Sequence, residues 1–108
     1  MDTTTQFPPV DAEGYLIEPQ DWNDEVAAEL ARQENIVLTD DHWDVLRFMR
    51  EYYAERQIAV DVRHVIKHLA ETHGPESRNM VFDLFPYGYV KQACKIAGMK
   101  RPRAWSTG

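Results

Sequence analysis

Residues 61–70, DVRHVIKHLA, carry the clearest structural pattern in this chain and decide its fold class. Their apolar residues recur at the spacing i, i+3, i+4, i+7 and i+8, which is typical of a helix with one apolar face. Asp61 precedes the pattern where an N-cap residue is expected, and Gly74-Pro75 ends it. The sequence therefore predicts a helix between Asp61 and Gly74. Its apolar stripe consists of Val62, Val65, Ile66, Leu69 and Ala70.

The same periodicity predicts four further helices. Asp21 and Thr39 stand where N-cap residues of the first two are expected, and Gly98 stands where a left-handed C-terminal cap would end the last. The expected ranges are about 22–35, 40–53, 77–84 and 89–97. The chain is therefore expected to be mainly helical.

The N-terminal region predicts a small β structure. Residues 14–17, Gly-Tyr-Leu-Ile, are β-prone and lie between turn-forming residues, among them Pro9 and Pro19. The predicted fold class is α+β, mainly α, with a small N-terminal β meander or hairpin packed on an array of about five helices. Residues 1–108 are expected to form a single domain, with a flexible N-terminus over 1–12 and a flexible C-terminal arm over 99–108.

Composition restricts the class of protein. The 108 residues suit one domain, and no apolar run approaches the ~20 residues that span a bilayer. The N-terminus lacks the basic and apolar segments of a secretory signal. Cys94 is the only cysteine, so the chain has no intramolecular disulfide and no thiolate cluster for a metal. A free thiol of this kind suggests a reducing compartment, and a cytoplasmic location is expected.

Charge is distributed unevenly along the chain, whose net charge is −6. Residues 1–45 are strongly acidic, with Arg32 as their only basic side chain. The last eighteen residues carry no acid, and they hold the bases Lys91, Lys95, Lys100, Arg101 and Arg103. Such an end is either a solvated tail or a basic arm that attracts an acidic partner surface.

Cys94 is the one candidate nucleophile. It lies on the apolar stripe of the last predicted helix, which favours a small buried side chain. Lys91 and Lys95 lie close to it in sequence, and nearby cations lower the pKa of a thiol and make it reactive. From the residues alone, both interpretations stay open.

Other candidate sites are weaker. His64 and His68 have the i, i+4 spacing of some zinc sites, but no further ligands are identified and a surface or half-buried pair is favoured. No hydrolase triad and no glycine-rich phosphate loop is present. The second and third helices also resemble a helix-turn-helix, from which Arg63 and Lys67 would reach DNA, although the acidic first half would repel phosphate.

Several separated stretches resemble the DsrC/TusE family of sulfur-relay proteins, which includes the gamma subunit of dissimilatory sulfite reductase. The resemblance covers about residues 13 to 104, and its last block, residues 91–98, KQACKIAG, is highly characteristic. The other stretches are Gly14-Tyr15-Leu16, Trp22, Leu38-Thr39 with His42-Trp43, Phe48 with Arg50-Glu51-Tyr52-Tyr53, Arg63, Lys67, and Leu84-Phe85-Pro86 with Gly88.

The resemblance implies how such a chain would work. Family members carry sulfur as a cysteine persulfide on a flexible C-terminal arm that inserts into a partner enzyme. Cys94 matches the inner of two family cysteines, and Trp105 occupies the position of the outer, sulfur-carrying one. Tyr89 also departs from the family, which has proline or a small residue after Gly88. Chemistry that needs two cysteines is therefore excluded for this chain.

The sequence thus predicts a single-cysteine sulfur-relay protein with a carrier, sensing or regulatory role, rather than an enzyme, and with no cofactor or metal. Cys94 is the candidate persulfide acceptor. The partners would be proteins, either a sulfite reductase-like complex or sulfurtransferases. The residues expected to contact them are Lys91, Lys95, Lys100, Arg101, Arg103 and Trp105. An equally coherent version docks through Trp105 but carries no sulfur, and regulates a two-cysteine relative. DNA binding through a helix-turn-helix is the alternative.

Overall fold

The computed structural model describes residues 7–100 of the chain. This part contains four α-helices, two short 3-10 turns and a π-helix. In chain order they are the turn Pro19–Asp21, α1 Asp24–Gln33, α2 Asp40–Arg56, α3 Val62–His73, the turn Gly74–Glu76, α4 Ser77–Leu84 and the π-helix Tyr89–Cys94. The prediction of a mainly helical chain is confirmed.

Polar side chains set where the helices begin. Thr39 caps α2, and its hydroxyl and the His42 side chain form a reciprocal capping box. Asp61 caps α3 by accepting a hydrogen bond of 2.8 Å from the Arg63 backbone N–H. At α1 the cap is Asn23, whose side chain accepts from Val26, and not Asp21 as predicted. Asp21 instead belongs to the preceding 3-10 turn.

The predicted N-terminal β meander or hairpin is wrong, and with it the α+β class, because residues 7–100 contain no β-strand and no sheet. A single isolated antiparallel bridge joins Val10 to Leu16. The Asp11 carboxylate accepts hydrogen bonds from the backbone N–H groups of Glu13 and Tyr15, at 2.9 and 3.0 Å. Backbone hydrogen bonds from Asp11 to the Tyr15 carbonyl and from Ile17 to the Pro9 carbonyl flank this bridge, but the Asp11 side chain takes the Tyr15 N–H that would extend the pairing.

The core lies between the helices and encloses the C-terminal part of the described chain. Helices α1, α2 and α3 each contribute an apolar stripe, and Leu16 and Phe85 join them from the connecting segments. Residues 93–99 include five apolar side chains at most 1% exposed, namely Ala93, Cys94, Ile96, Ala97 and Met99. The chain around Cys94 is therefore the centre of the core and not its edge. None of the described helices is long and apolar enough to cross a membrane.

The last helix differs from the α-helix expected over 89–97. It is a π-helix from Tyr89 to Cys94, followed by a single turn of α-helix at residues 95–96. A π-helix joins residue i to residue i+5, so Tyr89 and Cys94 lie about one turn apart on the same side. The wider turn of the π-helix therefore places the Tyr89 side chain next to the Cys94 thiol.

Candidate functional site

Cys94 lies inside the core and has no contact with solvent, since its exposed fraction is 0%. Burial raises the pKa of the thiol to about 12, because a thiolate would lose its hydration there, and a hydrogen bond with the Tyr89 hydroxyl opposes this only in part. The nucleophile in thiol chemistry is the thiolate. In this conformation Cys94 is therefore a protonated, shielded thiol.

Tyr89 links the thiol to the segment before α3. Its hydroxyl donates a hydrogen bond of 2.5 Å to the backbone carbonyl of Val60 and is also hydrogen-bonded to Cys94. Burial, together with the neighbouring thiol, raises the pKa of Tyr89 well above its ordinary value. Both groups are thus neutral partners in one buried network.

The Lys95 ammonium group pairs with the Glu34 carboxylate and not with the Cys94 thiol. Its Nζ atom donates to Glu34 Oε2 at 2.9 Å, and both side chains are largely shielded, with exposed fractions of 16% and 22%. Gln92 donates to the other Glu34 oxygen at 3.1 Å. Burial acts to raise the pKa of Glu34, but the hydrogen bonds from Lys95 and Gln92 outweigh it, and the net shift is downward.

The expectation that Lys91 and Lys95 lower the pKa of the Cys94 thiol is therefore wrong for the folded chain. Lys95 ties the last helix to the end of α1 through Glu34. Lys91 is exposed and, with Lys95, lines a surface pocket of about 400 Å³. The other residues that line this pocket are Glu13, Tyr15, Glu34 and Tyr87.

The chain leaves the core through a closed helix end. Gly98 has a φ of +77°, and the Gly98 and Met99 N–H groups bond back to the carbonyls of Lys95 and Cys94, which is a Schellman cap. The predicted cap at Gly98 is confirmed. Met99, which was assigned to the flexible arm, is only 1% exposed. Met99 therefore belongs to the core.

Two side chains whose contacts the sequence did not predict hold this end in place. The Trp22 indole donates to the Ile96 carbonyl at 2.8 Å, and Arg50 donates to the Ala97 and Pro19 carbonyls at 3.0 Å each. The Arg50 guanidinium also lies 4.8 Å from the centre of the Trp22 ring. These contacts join α2 and the N-terminal segment to the root of the C-terminal segment. A tryptophan and an arginine far apart in sequence give no pairing signal, so only the fold reveals them.

The remaining predicted contact residues are only partly described. Lys100 is exposed. Arg101, Arg103 and Trp105 lie outside the described residues, so the prediction that they contact a partner stays a prediction.

The histidines have structural partners. His68 stacks on Phe48 with ring centres 4.4 Å apart and lies 3.0 Å from Asp44, and the His64 ring lies 5.5 Å from Tyr52. No group of three or more potential metal ligands occurs among residues 7–100. The interpretation of this pair as a half-buried or surface pair is therefore favoured over a zinc site.

His42, which sequence reasoning left without a role, is buried and joins α2 to α4. Its Nδ1 atom accepts from the Thr39 backbone N–H at 3.1 Å, which leaves Nε2 to donate to the Leu84 carbonyl at 2.8 Å. Its ring also meets Phe85 edge to face, with centres 5.3 Å apart.

Known proteins match this chain over most of its length. The family model described as "DsrC like protein" matches residues 3–104. The sulfurtransferase TusE of Photorhabdus laumondii is 45% identical over 94 residues, which cover 85% of this chain and 85% of that protein. The NMR structure of Allochromatium vinosum DsrC is 45% identical, with a TM-score of 0.76, and the alignment covers 87% of this chain and 86% of that one. The oxidized gamma-subunit of the dissimilatory sulfite reductase (DsrC) from Archaeoglobus fulgidus is 33% identical, with a TM-score of 0.80 and coverage of 89% and 90%.

The fold and the site define a small helical protein in which one shielded cysteine lies next to the closed end of the last helix. The chain belongs to the DsrC-like family and is a sulfur-relay protein of the DsrC/TusE type. The comparisons give no support to the helix-turn-helix alternative. Arg63, one of its two proposed DNA contacts, pairs with the N-cap carboxylate of its own helix at 3.3 Å.

Proposed function

We propose that this chain serves a sulfur relay as a docking and regulatory member of its family, and that Cys94 accepts sulfur only when the structure around it opens. The observation that carries the proposal is the complete burial of Cys94, the only thiol of the chain. By the family resemblance, the position of the outer cysteine is occupied by Trp105, which cannot hold a persulfide. A relay member of this composition has no permanently accessible sulfur carrier.

Sulfur transfer to Cys94 has a defined chemical requirement. The Cys94 sulfur attacks the outer sulfur of a persulfide R–S–SH, the S–S bond breaks, and the leaving thiolate takes the proton, so that Cys–SH and R–S–SH become Cys–S–SH and RSH. No net oxidation occurs. Burial raises the pKa of the thiol to about 12, so the thiolate is a small minority at pH 7, and in this closed state the donor has no path to a side chain that is 0% exposed.

The proposed partners are proteins of the relay with an acidic docking surface, namely sulfurtransferases or a sulfite reductase-type complex. Support comes from the chain itself, whose last eighteen residues carry five bases and no acid. Opposite charges on two surfaces accelerate encounter and select the partner. Trp105 supplies the large aromatic side chain that most often anchors such a contact. The expected site of action is the cytoplasm, where a single thiol stays reduced.

Intact-mass spectrometry tests the state of Cys94. The wild type and a Cys94→Ser variant are incubated with a persulfide donor, without reductant, in buffer and in enough urea to unfold them. We expect no added sulfur on the folded wild type, complete addition on the unfolded wild type, and none on the variant in either condition. Rapid, stoichiometric sulfur addition to the folded wild type would show a working carrier thiol and overturn the proposal.

A further inference from the structure

An apolar pocket of about 290 Å³ lies between α3, α4 and the π-helix. Asp61 and Arg78 are the charged residues among those that line it, and the remaining side chains are aliphatic or aromatic. The uncharged lining residues are Val62, Ile66, Val81, Phe82, Gly88, Tyr89 and Val90. A pocket of this size and composition suits a small uncharged molecule.

Tyr89 connects this pocket to the buried thiol. It lines the pocket and is partly exposed, whereas Cys94 is completely buried and is not among the lining residues. The Tyr89 hydroxyl donates to the Val60 carbonyl and also interacts with the Cys94 thiol. Tyr89 is therefore the pocket-lining residue that also contacts the buried sulfur.

The hydrogen bonds hold Tyr89 in that position. Val60 is fully buried, so its carbonyl would lose its partner if the hydroxyl moved away. For the Cys94 sulfur to meet a donor in the pocket, the tyrosine must leave both the carbonyl and the thiol. The position is closed by default, and opening it has a cost in free energy.

We propose that Tyr89 is the gate of Cys94 and that the pocket between α3, α4 and the π-helix is the route by which a small, uncharged persulfide reaches the thiol. The inference rests on the proposed function and deepens it, because it assigns the opening to one side chain. Tyr89 is a positioning residue: it controls access to the sulfur and takes no part in bond making. The transfer is the exchange written above, in which Cys–SH and R–S–SH give Cys–S–SH and RSH.

The rate of alkylation of Cys94 by iodoacetamide, a small uncharged reagent, tests the gate. Tyr89→Ala removes the side chain, and we expect labelling without urea to be at least about tenfold faster than in the wild type. Tyr89→Phe keeps the ring that fills the route but loses the hydroxyl that holds it there, so its rate should lie between those of the wild type and Tyr89→Ala. Phe82→Ala is the matched control, because it removes an aromatic side chain from the same pocket but not the one bonded to the thiol.

Two further measurements separate a gate from simple destabilisation. Labelling through an open route is nearly independent of low urea concentrations, whereas labelling through global unfolding rises steeply with urea. A bulky maleimide reagent should gain far less than iodoacetamide from Tyr89→Ala. Adding Val62→Phe, which fills the pocket from α3, should slow the labelling of Tyr89→Ala by iodoacetamide again.

The possible failures are distinguishable. If Tyr89→Ala labels no faster than Phe82→Ala, or only through global unfolding, the gate is refuted while the shielded state of Cys94 stands. If the folded wild type itself labels at the rate of an unfolded chain, the proposed function fails as well.

Discussion

Replacing Gly98 by alanine tests the closed helix end from which the C-terminal segment leaves. Gly98 has a φ of +77°, a conformation that costs an L-residue about 1–2 kcal/mol. A Cβ atom there would lie 2.5 Å from Cδ1 and 2.8 Å from Cγ of Trp22, so the indole must move. Overpacking of this kind costs about 1–3 kcal/mol. We therefore expect Gly98→Ala to lower the free energy of unfolding by about 2–5 kcal/mol, the sum of the two effects.

Urea denaturation followed by far-UV circular dichroism measures this loss, and a double-mutant cycle with Trp22→Ala isolates its steric part. If the clash with the indole is real, Gly98→Ala should cost clearly less in the Trp22→Ala background, where only the backbone conformation is unfavourable. The reasoning is refuted if Gly98→Ala costs less than about 1 kcal/mol, or if the two substitutions are additive. Additivity would mean that the indole does not lie against residue 98.

Two other substitutions test the electrostatics of the last helix and the docking role. The folded-state pKa of Glu34 is lowered, so its charge stabilises the fold above the ordinary carboxyl pKa of about 4.5, and this contribution is lost as the pH falls through the lower, folded-state pKa. Glu34→Gln should therefore be less stable than the wild type by about 1 kcal/mol near pH 7, and the two stabilities should converge in acid. A difference in stability that does not change with pH would contradict the pairing of Glu34 with Lys95. Trp105→Ala should weaken binding to a relay sulfurtransferase by roughly 30-fold, as loss of a buried aromatic anchor does, with Trp105→Phe retaining most of the affinity. Calorimetry measures both variants, and equal affinities for the wild type and Trp105→Ala would remove Trp105 as the anchor.

The missing outer cysteine and the buried inner one are consistent with each other. A relay protein that carries sulfur at its C-terminal end needs an exposed thiol there, and this sequence has tryptophan instead. Its only thiol is held as a neutral group within the core by burial, which outweighs the opposing hydrogen bond with Tyr89. In the role proposed above, such a protein docks on a relay partner while withholding the group that would exchange sulfur, and it competes with a carrier for that partner.

The N-terminal region shows where local sequence signals failed. The β-prone residues 14–17 suggested strand pairing, but a strand also needs a partner with free backbone groups. The Asp11 carboxylate accepts a hydrogen bond from the Tyr15 backbone N–H, and the Tyr15 hydroxyl donates to the Val90 carbonyl at 3.0 Å. Long-range contacts of this kind compete with the local preference for a β-strand, and no local sequence pattern predicts them.

The sequence by itself determined the helices, most of their caps and the family. Helical periodicity and N-cap residues act through neighbours three or four positions away, so they are readable along the chain. Several separated stretches, of which residues 91–98 are the most characteristic, together indicated the family resemblance. The charge gradient was equally visible, since it depends only on composition.

Only the tertiary structure decided the state of Cys94. Proximity in sequence to Lys91 and Lys95 suggested a reactive thiolate, but Lys95 is taken by Glu34, which is 61 positions away. The pKa of a thiol depends on what surrounds it in space, and the elements around Cys94 are brought together by the whole core. Burial removes the hydration that a thiolate needs and therefore raises the pKa of the thiol. The lowering of this pKa that neighbouring lysines in the sequence suggested does not occur.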